Sequence, residues 1–467
     1  MADILLIMPP YSDIYGKINI KKMGFVMPSL GLAYIASFLK SKGEDVELVD
    51  AACIDDIDAL FKKIGKERPR IIGFNVVTAN MSSVVRMADE IKKIHPACLI
   101  VVGGPHPSAL PGETVKYKSI DIVVFGEGEF TLWEVAQGKE LSAIKGICYK
   151  EGQDIIKINE PRPLIEDLDD LPSPLFEGLP IERYGYLSLG RSLPVLSGRG
   201  CPHGCSFCAS GVINKKRCRF RDVNKFVDEL EFLKKNLKIS KFIFCDESFT
   251  LDKKRTIRIC EEILRRGLKI KWSCMMRVDN AEQNMLAVMK RAGCQMIEIG
   301  VESADESVLK KANKRIDLKQ VIETVKMANK NKLEINAFFI LGLPLETRDS
   351  IMKTISFAKK LRIDYAQFSM FIPLPGTQAW DWIREGKYLR CIAKDWDDFS
   401  RYKRPIVASK ELPSEDLFSL YNKAIKDFYI RPYIVLRTLR NINSLEKLIT
   451  IWKAGLCFLK IVDRGKE

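Results

Sequence analysis

The run Gly198-Arg199-Gly200-Cys201-Pro202-His203-Gly204-Cys205-Ser206-Phe207-Cys208 decides the architecture of this chain. Its three cysteines stand in a C-x3-C-x2-C spacing, directly after the apolar residues 193–196. Glycines before and between the cysteines mark the segment as a tight loop. Three thiolates on one loop can ligate three irons of a [4Fe–4S] cluster, because thiolate is the usual ligand of such clusters. The fourth iron then has no protein ligand, and an open coordination position is typical of a catalytic metal centre.

Two other interpretations of these cysteines stay open. Zinc needs four tetrahedral ligands, and the fourth would have to come from His203 or from a distant thiol. His203 lies between the first two cysteines, which is a poor place to complete a tetrahedron. The other alternative is three unconnected core cysteines, which the surrounding glycines disfavour.

The cysteine spacing, with an aromatic residue before the last cysteine, resembles the signature of the radical S-adenosylmethionine (SAM) superfamily. That resemblance implies that Cys201, Cys205 and Cys208 bind a [4Fe–4S] cluster whose fourth iron chelates the methionine part of SAM. It also implies that Phe207 packs against the adenine of SAM. In this family the reduced cluster cleaves SAM to a 5′-deoxyadenosyl radical.

From Leu193 onward, short apolar runs alternate with helical patterns. The predicted strands are 194–197, 241–245, 270–275, 296–301, 335–340 and 366–371. Six strand–helix units indicate a partial (β/α)6 version of the eight-unit TIM-type barrel, whose active sites lie at the carboxyl ends of the strands. One helix is predicted over Asp279–Ala292, with Asp279 as N-cap, Glu282 completing a capping box and Gly293 at its end.

Polar residues gather at the carboxyl ends of these predicted strands, in the order of the SAM-binding residues of the radical SAM family. The resemblance implies that Asp246 and Glu247 bind the ammonium group of SAM and that Arg277 pairs with its carboxylate. It also implies that Glu302, with Ser303 beside it, binds the ribose. Capping of the following helix is the competing interpretation of the two acids after the second strand.

Residues 1 to about 135 alternate in the same way. Strand patterns occur at 4–7, 46–49, 71–77, 99–102 and 122–125, and helical patterns at 29–41 and 81–94. This alternation predicts an α/β fold, a doubly wound, Rossmann-like parallel sheet covered by helices on both faces. Ligands of such sheets bind beyond the carboxyl ends of the strands. Two glycine-rich turns fall there, Gly103-Gly104-Pro105-His106 and Gly126-Glu127-Gly128-Glu129.

Together with the run 30–34, these turns resemble the cobalamin-binding domain that is fused to many radical SAM enzymes. The resemblance implies a cobalamin site lined by Thr78, Gly103, Gly104, His106, Gly126, Glu127 and Gly128. The loop after the first strand, Pro9-Pro10-Tyr11-Ser12-Asp13, has no histidine to ligate cobalt, as is usual in this branch. His106 is expected to line its turn, because a proline on each side holds it. A doubly wound domain that binds a nucleotide, or no ligand, stays the alternative.

The expected domains are a cobalamin-binding domain (1–138), a linker or strap (139–190), a radical SAM domain (191–390) and a helical C-terminal region (391–467). Proline and acidic residues disfavour regular structure in the linker, apart from a hairpin predicted between Gly146 and Ile158. In the tail, helices are predicted over 417–429 and 444–461.

Composition indicates a reducing compartment. Thirteen cysteines without paired spacing do not suit a disulfide framework, so a cytoplasmic protein is expected. No run of about eighteen apolar residues occurs, and no transmembrane helix is therefore expected. The last 67 residues carry fourteen Lys or Arg against seven Asp or Glu, a net charge of +7. That basic tail, with its segment 433–440, suits peripheral contact with an anionic membrane, and a helical cap on the barrel is the alternative.

The resemblance as a whole implies a cobalamin-dependent radical SAM enzyme whose cofactors are a [4Fe–4S] cluster, SAM and cobalamin. The expected reaction is C-methylation of an unactivated carbon, in which a 5′-deoxyadenosyl radical activates the substrate and methylcobalamin supplies the methyl group. Radical cyclisation, oxidation or carbon–carbon coupling on the same fold stays the alternative within enzymes. A cobalamin or redox sensor is the alternative outside them.

The partners are less defined by the sequence. The substrate is left open between a small molecule, a lipid-like molecule and a peptide. A low-potential donor such as ferredoxin or flavodoxin is expected to reduce the cluster. Nucleic acid is not expected as a partner, because no RNA-binding module is recognisable and the basic tail lacks interleaved aromatic residues. Cys245 and Cys274 are the first candidates for a residue that quenches a radical.

Overall fold

Two sheets with helices packed against them make up the described part of the chain. The computed structural model describes residues 2–10, 26–152, 155–186, 189–400, 403–434 and 436. The loop residues 11–13 and the predicted helix 444–461 therefore lie outside the described residues.

The first sheet has seven strands in the order β2-β1-β3-β4-β5-β6-β7. Its strands are β1 (Ile4–Met8), β2 (Val46–Asp50), β3 (Ile71–Asn75), β4 (Leu99–Gly103), β5 (Ile122–Val124), β6 (Ile147–Glu151) and β7 (Ile155–Ile158). Its helices are α1 (Leu30–Ser41), α2 (Ile57–Glu67), α3 (Met81–Ile94), α4 (Pro105–Ala109), α5 (Pro111–Thr114) and α6 (Glu129–Ala136). The first five strands are parallel. The doubly wound sheet predicted for this half is confirmed.

Alternate residues of β1 face two separate hydrophobic layers. Leu5 and Ile7 pack in one cluster with residues of α2 and α3. Ile4, Leu6 and Met8 pack in another cluster, with residues of α1 and α6. A parallel strand that is buried on both faces has a continuous apolar sequence, and for this reason the run at 4–7 predicts the strand correctly.

The hairpin predicted between Gly146 and Ile158 is also confirmed, and it extends the first sheet. Strand β6 pairs antiparallel with β5, and β7 pairs antiparallel with β6. The segment proposed as linker, 139–190, therefore contributes two strands to the N-terminal sheet.

The second sheet forms an open barrel of six parallel strands in the order β10-β13-β14-β15-β16-β17. Its strands are β10 (Leu193–Val195), β13 (Lys241–Phe244), β14 (Lys271–Met276), β15 (Cys294–Glu302), β16 (Glu334–Leu341) and β17 (Tyr365–Met370). The pairs β8 (Gly185–Tyr186) with β9 (Gly190–Arg191), and β11 (Gly198–Arg199) with β12 (Arg219–Phe220), lie outside this sheet. The predicted (β/α)6 barrel is confirmed.

Helices follow the barrel strands as in a TIM-type fold. They are α7 (Ser210–Asn214), α8 (Val223–Leu237), α9 (Lys253–Arg265), α10 (Gln283–Arg291), α11 (Glu306–Lys311), α12 (Leu318–Lys330), α13 (Arg348–Lys360) and α14 (Gln378–Arg384). A short antiparallel pair, β18 (Arg390–Cys391) with β19 (Val407–Ala408), and helix α15 (Ser414–Tyr429) complete the described chain. Helix α15 contacts the last barrel strand, where the Tyr429 hydroxyl donates to the carbonyl oxygen of Ala366 over 3.0 Å.

The predicted start of α10 is wrong. Residues 278–280 form a 3-10 turn, and the helix begins at Gln283 with Glu282 as its N-cap. The Asp279 carboxylate accepts from the Arg277 guanidinium over 2.8 Å instead of capping the helix. Gly293 follows the helix with a φ of +101°, as the prediction of its end requires.

In the described part of the chain, none of the helices combines the length and the apolar character that crossing a membrane requires.

Candidate cofactor site between the two sheets

The cluster loop, which we define as Cys201–Cys208, connects β11 to α7. It is anchored on the segment after α11, because Ser206 N donates to the Ala312 carbonyl over 2.9 Å. The Asn313 side-chain amide donates to the Gly204 carbonyl over 2.6 Å. The three thiols therefore lie on one loop that is fixed to the barrel at a separate point.

The donor set of this loop suits a [4Fe–4S] cluster. Among the described residues, no three His, Cys, Asp or Glu side chains converge where a single metal ion would bind. A zinc ion would need such convergence, whereas each thiolate of a cluster binds a different iron. Burial raises the pKa of the Cys201 thiol and so favours its neutral form when no metal is bound.

Glu247 holds both ends of the cluster loop. One of its carboxylate oxygens accepts from Gly200 N over 2.9 Å. The other accepts from the Ser210 hydroxyl over 3.1 Å and from the Asn214 amide over 2.9 Å. The chain enters the loop at Gly200 and leaves it at Ser210, so this one carboxylate fixes the width of the loop.

Asp246 supports the strand that leads into the loop. Its carboxylate accepts from Ser197 N over 3.0 Å and from the Ser197 hydroxyl over 2.6 Å. Arg255 donates to the same serine hydroxyl over 3.0 Å and to its carbonyl over 2.8 Å. Burial raises the pKa of Asp246 to about 6, although the bonds from Ser197 oppose this shift. Binding of the SAM ammonium by Asp246 and Glu247 stays a prediction.

The other predicted SAM-binding residues lie at the ends of β14 and β15. Arg277 donates to Asp279 and, over 3.0 Å, to the carbonyl oxygen of Lys314. Glu302 adopts a φ of +68° and pairs with the Lys314 ammonium over 2.7 Å. Ion pairs within the protein thus orient both side chains, and their contacts with SAM stay predictions.

Ser303 and Phe207 differ in how the protein surrounds them. The Ser303 hydroxyl is fully buried and lies 3.3 Å from the Glu346 carboxylate and 3.3 Å from the Thr354 hydroxyl. It therefore supports the turn after β16. Phe207 is partly buried and packs against the core at its edge, which leaves part of its ring surface for a ligand.

A cavity of about 390 Å³ lies between the N-terminal sheet and residues that flank the cluster loop. One wall belongs to the N-terminal sheet and its helices, through Leu6, Leu30, Gly31, Leu32, Tyr34, Ile35, Gly73, Phe74, Asn75, Val101, Gly103, Gly104, Val124, Gly126, Glu127, Gly128, Glu129 and Leu132. The other wall belongs to the barrel side, through Leu196, Arg199, Ile213, Asn214, Cys245 and Glu247. The cavity is the place where the two predicted cofactor sites meet.

The cavity wall suits a flat ring system such as the corrin of cobalamin. Glycines form much of the wall on the N-terminal side, so a ligand can approach the backbone closely. At Gly126, with a φ of +84°, an added Cβ would find no atom within 4 Å, which places this glycine against open space. The chain has three histidines, His95, His106 and His203, and none of them lines the cavity. This agrees with a cobalt that has no protein histidine.

Thr78 and His106 pack beside the cavity without lining it. His106 Nδ1 lies 3.2 Å from the Thr78 hydroxyl oxygen, and its ring makes an edge contact with Trp396 at 4.7 Å between centroids. Burial lowers the pKa of His106 to about 4, so the imidazole is neutral at physiological pH. The two residues support the turn after β4, and the prediction that they touch cobalamin stays untested.

Glu127 connects the two halves of the protein, a role that the sequence did not reveal. Its carboxylate accepts from Arg199 over 2.9 Å and from Arg219 over 2.7 Å. Burial opposes its ionisation, yet the bonds and charges of the two arginines hold the pKa of Glu127 below its usual value. Glu129 also accepts from Arg199, over 2.7 Å. Arg199 stands between two glycines before the cluster loop, and Arg219 follows the basic run Lys215-Lys216-Arg217 after it, so the local sequence marks neither arginine as a partner of Glu127.

Of the two cysteines proposed as radical quenchers, only Cys245 lines the cavity. Cys274 is fully buried in the core of the barrel.

Comparisons with known proteins match two separate parts of the chain. A model of the B12 binding domain matches residues 16–136, and a model of the radical SAM superfamily matches residues 195–358. An uncharacterized methyltransferase of Pyrococcus horikoshii, PH0819, is 35% identical over 443 residues, which cover 93% of this chain and 94% of that protein. The chain belongs to the radical SAM family with a B12-binding domain. Its cofactors are those of the family, a [4Fe–4S] cluster, SAM and cobalamin.

Two further relatives bear on chemistry and fold. The anaerobic magnesium-protoporphyrin IX monomethyl ester cyclase of Rubrivivax gelatinosus is 30% identical over 361 residues, 74% of this chain and 65% of that protein. The chain thus spans just under two thirds of the cyclase. The structure of the radical SAM methyltransferase TsrM from Kitasatospora setae, with cobalamin and a [4Fe–4S] cluster bound, has a TM-score of 0.74 at 17% identity. It covers 100% of this chain and 99% of that one, which shows a shared fold.

Proposed function

We propose that this chain is a cobalamin-dependent radical SAM C-methyltransferase that acts on an unactivated carbon. The observation that carries the proposal is the shared cavity, whose walls come from the glycine turns of the B12-binding domain and from the flanks of the cluster loop. When bound, the cluster with SAM supplies a 5′-deoxyadenosyl radical and cobalamin supplies a methyl group. The protein supplies orientation and a shielded site.

The residues of the chain are proposed to serve that orientation. Glu247 fixes both ends of the cluster loop, and the Arg277 and Glu302 ion pairs hold two polar groups at the ends of adjacent strands. Apolar side chains such as Leu6, Leu30 and Leu196 line the cavity and disfavour water there, which protects a radical from side reactions.

A second candidate function is radical cyclisation or oxidation without methyl transfer. It is favoured by the similarity to the magnesium-protoporphyrin ester cyclase, which is 30% identical to this chain. The relative from Pyrococcus horikoshii, whose alignment covers nearly all of both chains, is named a methyltransferase. That name favours the first candidate.

The experiment that separates the two candidates is an anaerobic assay of the reconstituted protein with SAM, hydroxocobalamin and a strong reductant. The products 5′-deoxyadenosine and S-adenosylhomocysteine are measured by mass spectrometry. Methyl transfer predicts both products, because a second SAM must remethylate the cobalamin. Deoxyadenosine alone contradicts the methyltransferase proposal and supports the cyclase-type reaction.

We also propose that a small flavodoxin or ferredoxin delivers the electron to the cluster.

We further propose that the basic tail makes peripheral contact with a membrane. Residues 437–467, which carry much of the charge of this tail, lie outside the described residues.

A further inference from the structure

A continuous polar network runs from the cobalamin-binding domain to the start of the cluster loop. Glu127 accepts from Arg219 over 2.7 Å, and Arg219 donates to the side-chain amide oxygen of Asn214, Oδ1, over 3.1 Å. The Asn214 amide donates to Glu247 over 2.9 Å, which in turn accepts from Gly200 N. Each link is a hydrogen bond of normal length. The network therefore connects Glu127 to Gly200, the residue directly before Cys201.

A second, shorter branch of this network passes through Arg199. Its guanidinium binds Glu127 over 2.9 Å and Glu129 over 2.7 Å, and it lies over the ring of Tyr34 at 5.1 Å. Arg199 stands two residues before Cys201 in the chain. Three elements of the cobalamin-binding domain thus fix the residue from which the cluster loop begins.

Most members of the network also line the cavity. Tyr34, Glu127, Glu129, Arg199, Asn214 and Glu247 are all part of its wall. Arg219 is different, because it is buried but is not among the residues that line the cavity. A ligand in the cavity therefore contacts the network directly, while Arg219 connects its two ends without touching the ligand.

Filling this cavity changes the strength of the network. A ligand in the cavity displaces water, and ion pairs and hydrogen bonds are stronger where water is excluded. The ligand also restricts side chains such as Arg199, whose ordering the cluster loop needs as well. A second ligand that binds to an already ordered site loses less conformational entropy, which makes the two binding events cooperative.

We propose that this network couples the two cofactor sites, so that cobalamin in the cavity raises the affinity of the cluster loop for SAM, and SAM raises the affinity for cobalamin. The proposal rests on the proposed function, since it assumes that both cofactors bind. Linkage requires the two factors to be equal. Arg219 and Asn214 are then positioning residues of the reaction.

The test measures the Kd of hydroxocobalamin by absorbance titration of the full chain, anaerobic and with its cluster reconstituted but not reduced. The titration is done with and without saturating SAM. We expect SAM to tighten hydroxocobalamin binding by about 5- to 150-fold, the usual range of coupling between two sites. The Kd of SAM, measured with and without hydroxocobalamin, is expected to change by the same factor.

Two variants break the link, and one serves as a matched control. Arg219→Met removes the connection between Glu127 and Asn214, and Asn214→Ala removes the connection to Glu247. Both are expected to reduce the coupling factor towards one, while a folded Arg219→Met protein still binds hydroxocobalamin alone. Arg217→Met is the control, because the pair of Arg217 with Glu166 is exposed and lies outside the network. Arg217→Met is expected to keep the coupling factor of the unmodified protein.

Two results would overturn the coupling. Either the Kd of hydroxocobalamin is the same with and without SAM, or both link variants retain the full factor. If Arg219→Met does not fold, as judged by near-UV circular dichroism, Asn214→Ala decides alone. A protein that binds no hydroxocobalamin at all contradicts the proposed function itself, whereas binding without coupling contradicts only this inference.

Discussion

Gly200 is the residue on which the geometry of the cluster loop depends most closely. It has a φ of +95°, and an added Cβ would lie 1.9 Å from the Arg217 carbonyl oxygen. Backbone cannot move aside as a flexible side chain can. Gly204, in the same loop, has more room, because its nearest neighbour would be the Asn313 amide at 3.3 Å.

Gly200→Ala is therefore expected to displace the loop and to prevent cluster assembly. The strained φ alone costs on the order of 1–3 kcal/mol, and the clash adds to this. Iron content after anaerobic reconstitution is the measurement, and we expect it to fall to a small fraction of the unmodified value. Gly204→Ala is the control and should retain most of its iron. Equal iron content in both variants would contradict the close approach of Arg217.

The buried carboxyl group of Glu298 makes the stability of the protein depend on pH. It is 3% exposed on β15, where its carboxylate accepts from the Tyr186 hydroxyl over 2.8 Å. Burial raises its pKa from 4.5 to about 7, although the bonds from Tyr186 and Asn336 oppose the shift. The folded state therefore holds a proton that the unfolded state releases, and stability falls as the pH rises from about 4.5 through about 7.

The substitution Glu298→Gln is expected to remove this loss of folding stability with rising pH. The full shift corresponds to about 3 kcal/mol, so the unmodified protein should lose stability between about pH 5 and about pH 8 by an amount of that order. The urea midpoint at the two pH values measures it. A variant whose midpoint falls as steeply as that of the unmodified protein would show that other groups cause the pH dependence.

At the scale of elements, strand β4 ends at the cavity, and its last residue is Gly103. A Cβ there would lie 3.5 Å from the Val124 carbonyl oxygen, which is an ordinary contact. A larger side chain at this position is therefore compatible with the sheet but takes space from the cavity.

Gly103→Val is expected to weaken hydroxocobalamin binding at least about tenfold, which is roughly 1.4 kcal/mol, and to leave iron content unchanged. The reason is that the new methyl groups occupy the cavity, whereas none of the cluster-loop residues lines it. Gly112→Val is the matched control, since Gly112 lies away from the cavity and its nearest neighbour would be the Ile158 side chain at 3.6 Å. Unchanged affinity in Gly103→Val would mean that cobalamin does not bind against the end of β4.

The elements themselves were predictable from local pattern. Buried parallel strands have continuous apolar runs, and all eleven predicted strands, five in the first half and six in the barrel, occur in the structure. The start of α10 was not predictable in this way. Asp279 has the sequence context of an N-cap, but the Arg277 guanidinium competes for its carboxylate.

The candidate site was only partly predictable, because some of its contacts join residues that are remote in sequence. Cysteine spacing and glycine turns are local signals, and both lie at the cavity or beside it. The partners of Glu127 are remote in sequence, and no local pattern reveals that Arg199 and Arg219 bind it. His106 likewise packs on Trp396, a contact that depends on the C-terminal region folding back onto the first domain.

At the scale of the whole molecule, the cavity has walls from two sheets whose cores share one hydrophobic cluster. Because its walls come from both, a ligand in the cavity is expected to stabilise the whole described fold. Hydroxocobalamin at about 100 times its Kd should stabilise the protein by about 2.7 kcal/mol. Calorimetric unfolding with and without hydroxocobalamin measures this. A shift confined to a separate transition of the N-terminal domain would contradict a shared cavity.

The central claim is that cobalamin and the cluster occupy adjoining sites between the two sheets. Electron paramagnetic resonance of the protein loaded with cob(II)alamin and a reduced [4Fe–4S] cluster tests it most directly, because both centres are paramagnetic. We predict a magnetic dipolar interaction that broadens or splits both signals, and that disappears in Gly200→Ala, which is expected to lack the cluster. Two unperturbed signals, each identical to that of the protein with one centre alone, would contradict the claim.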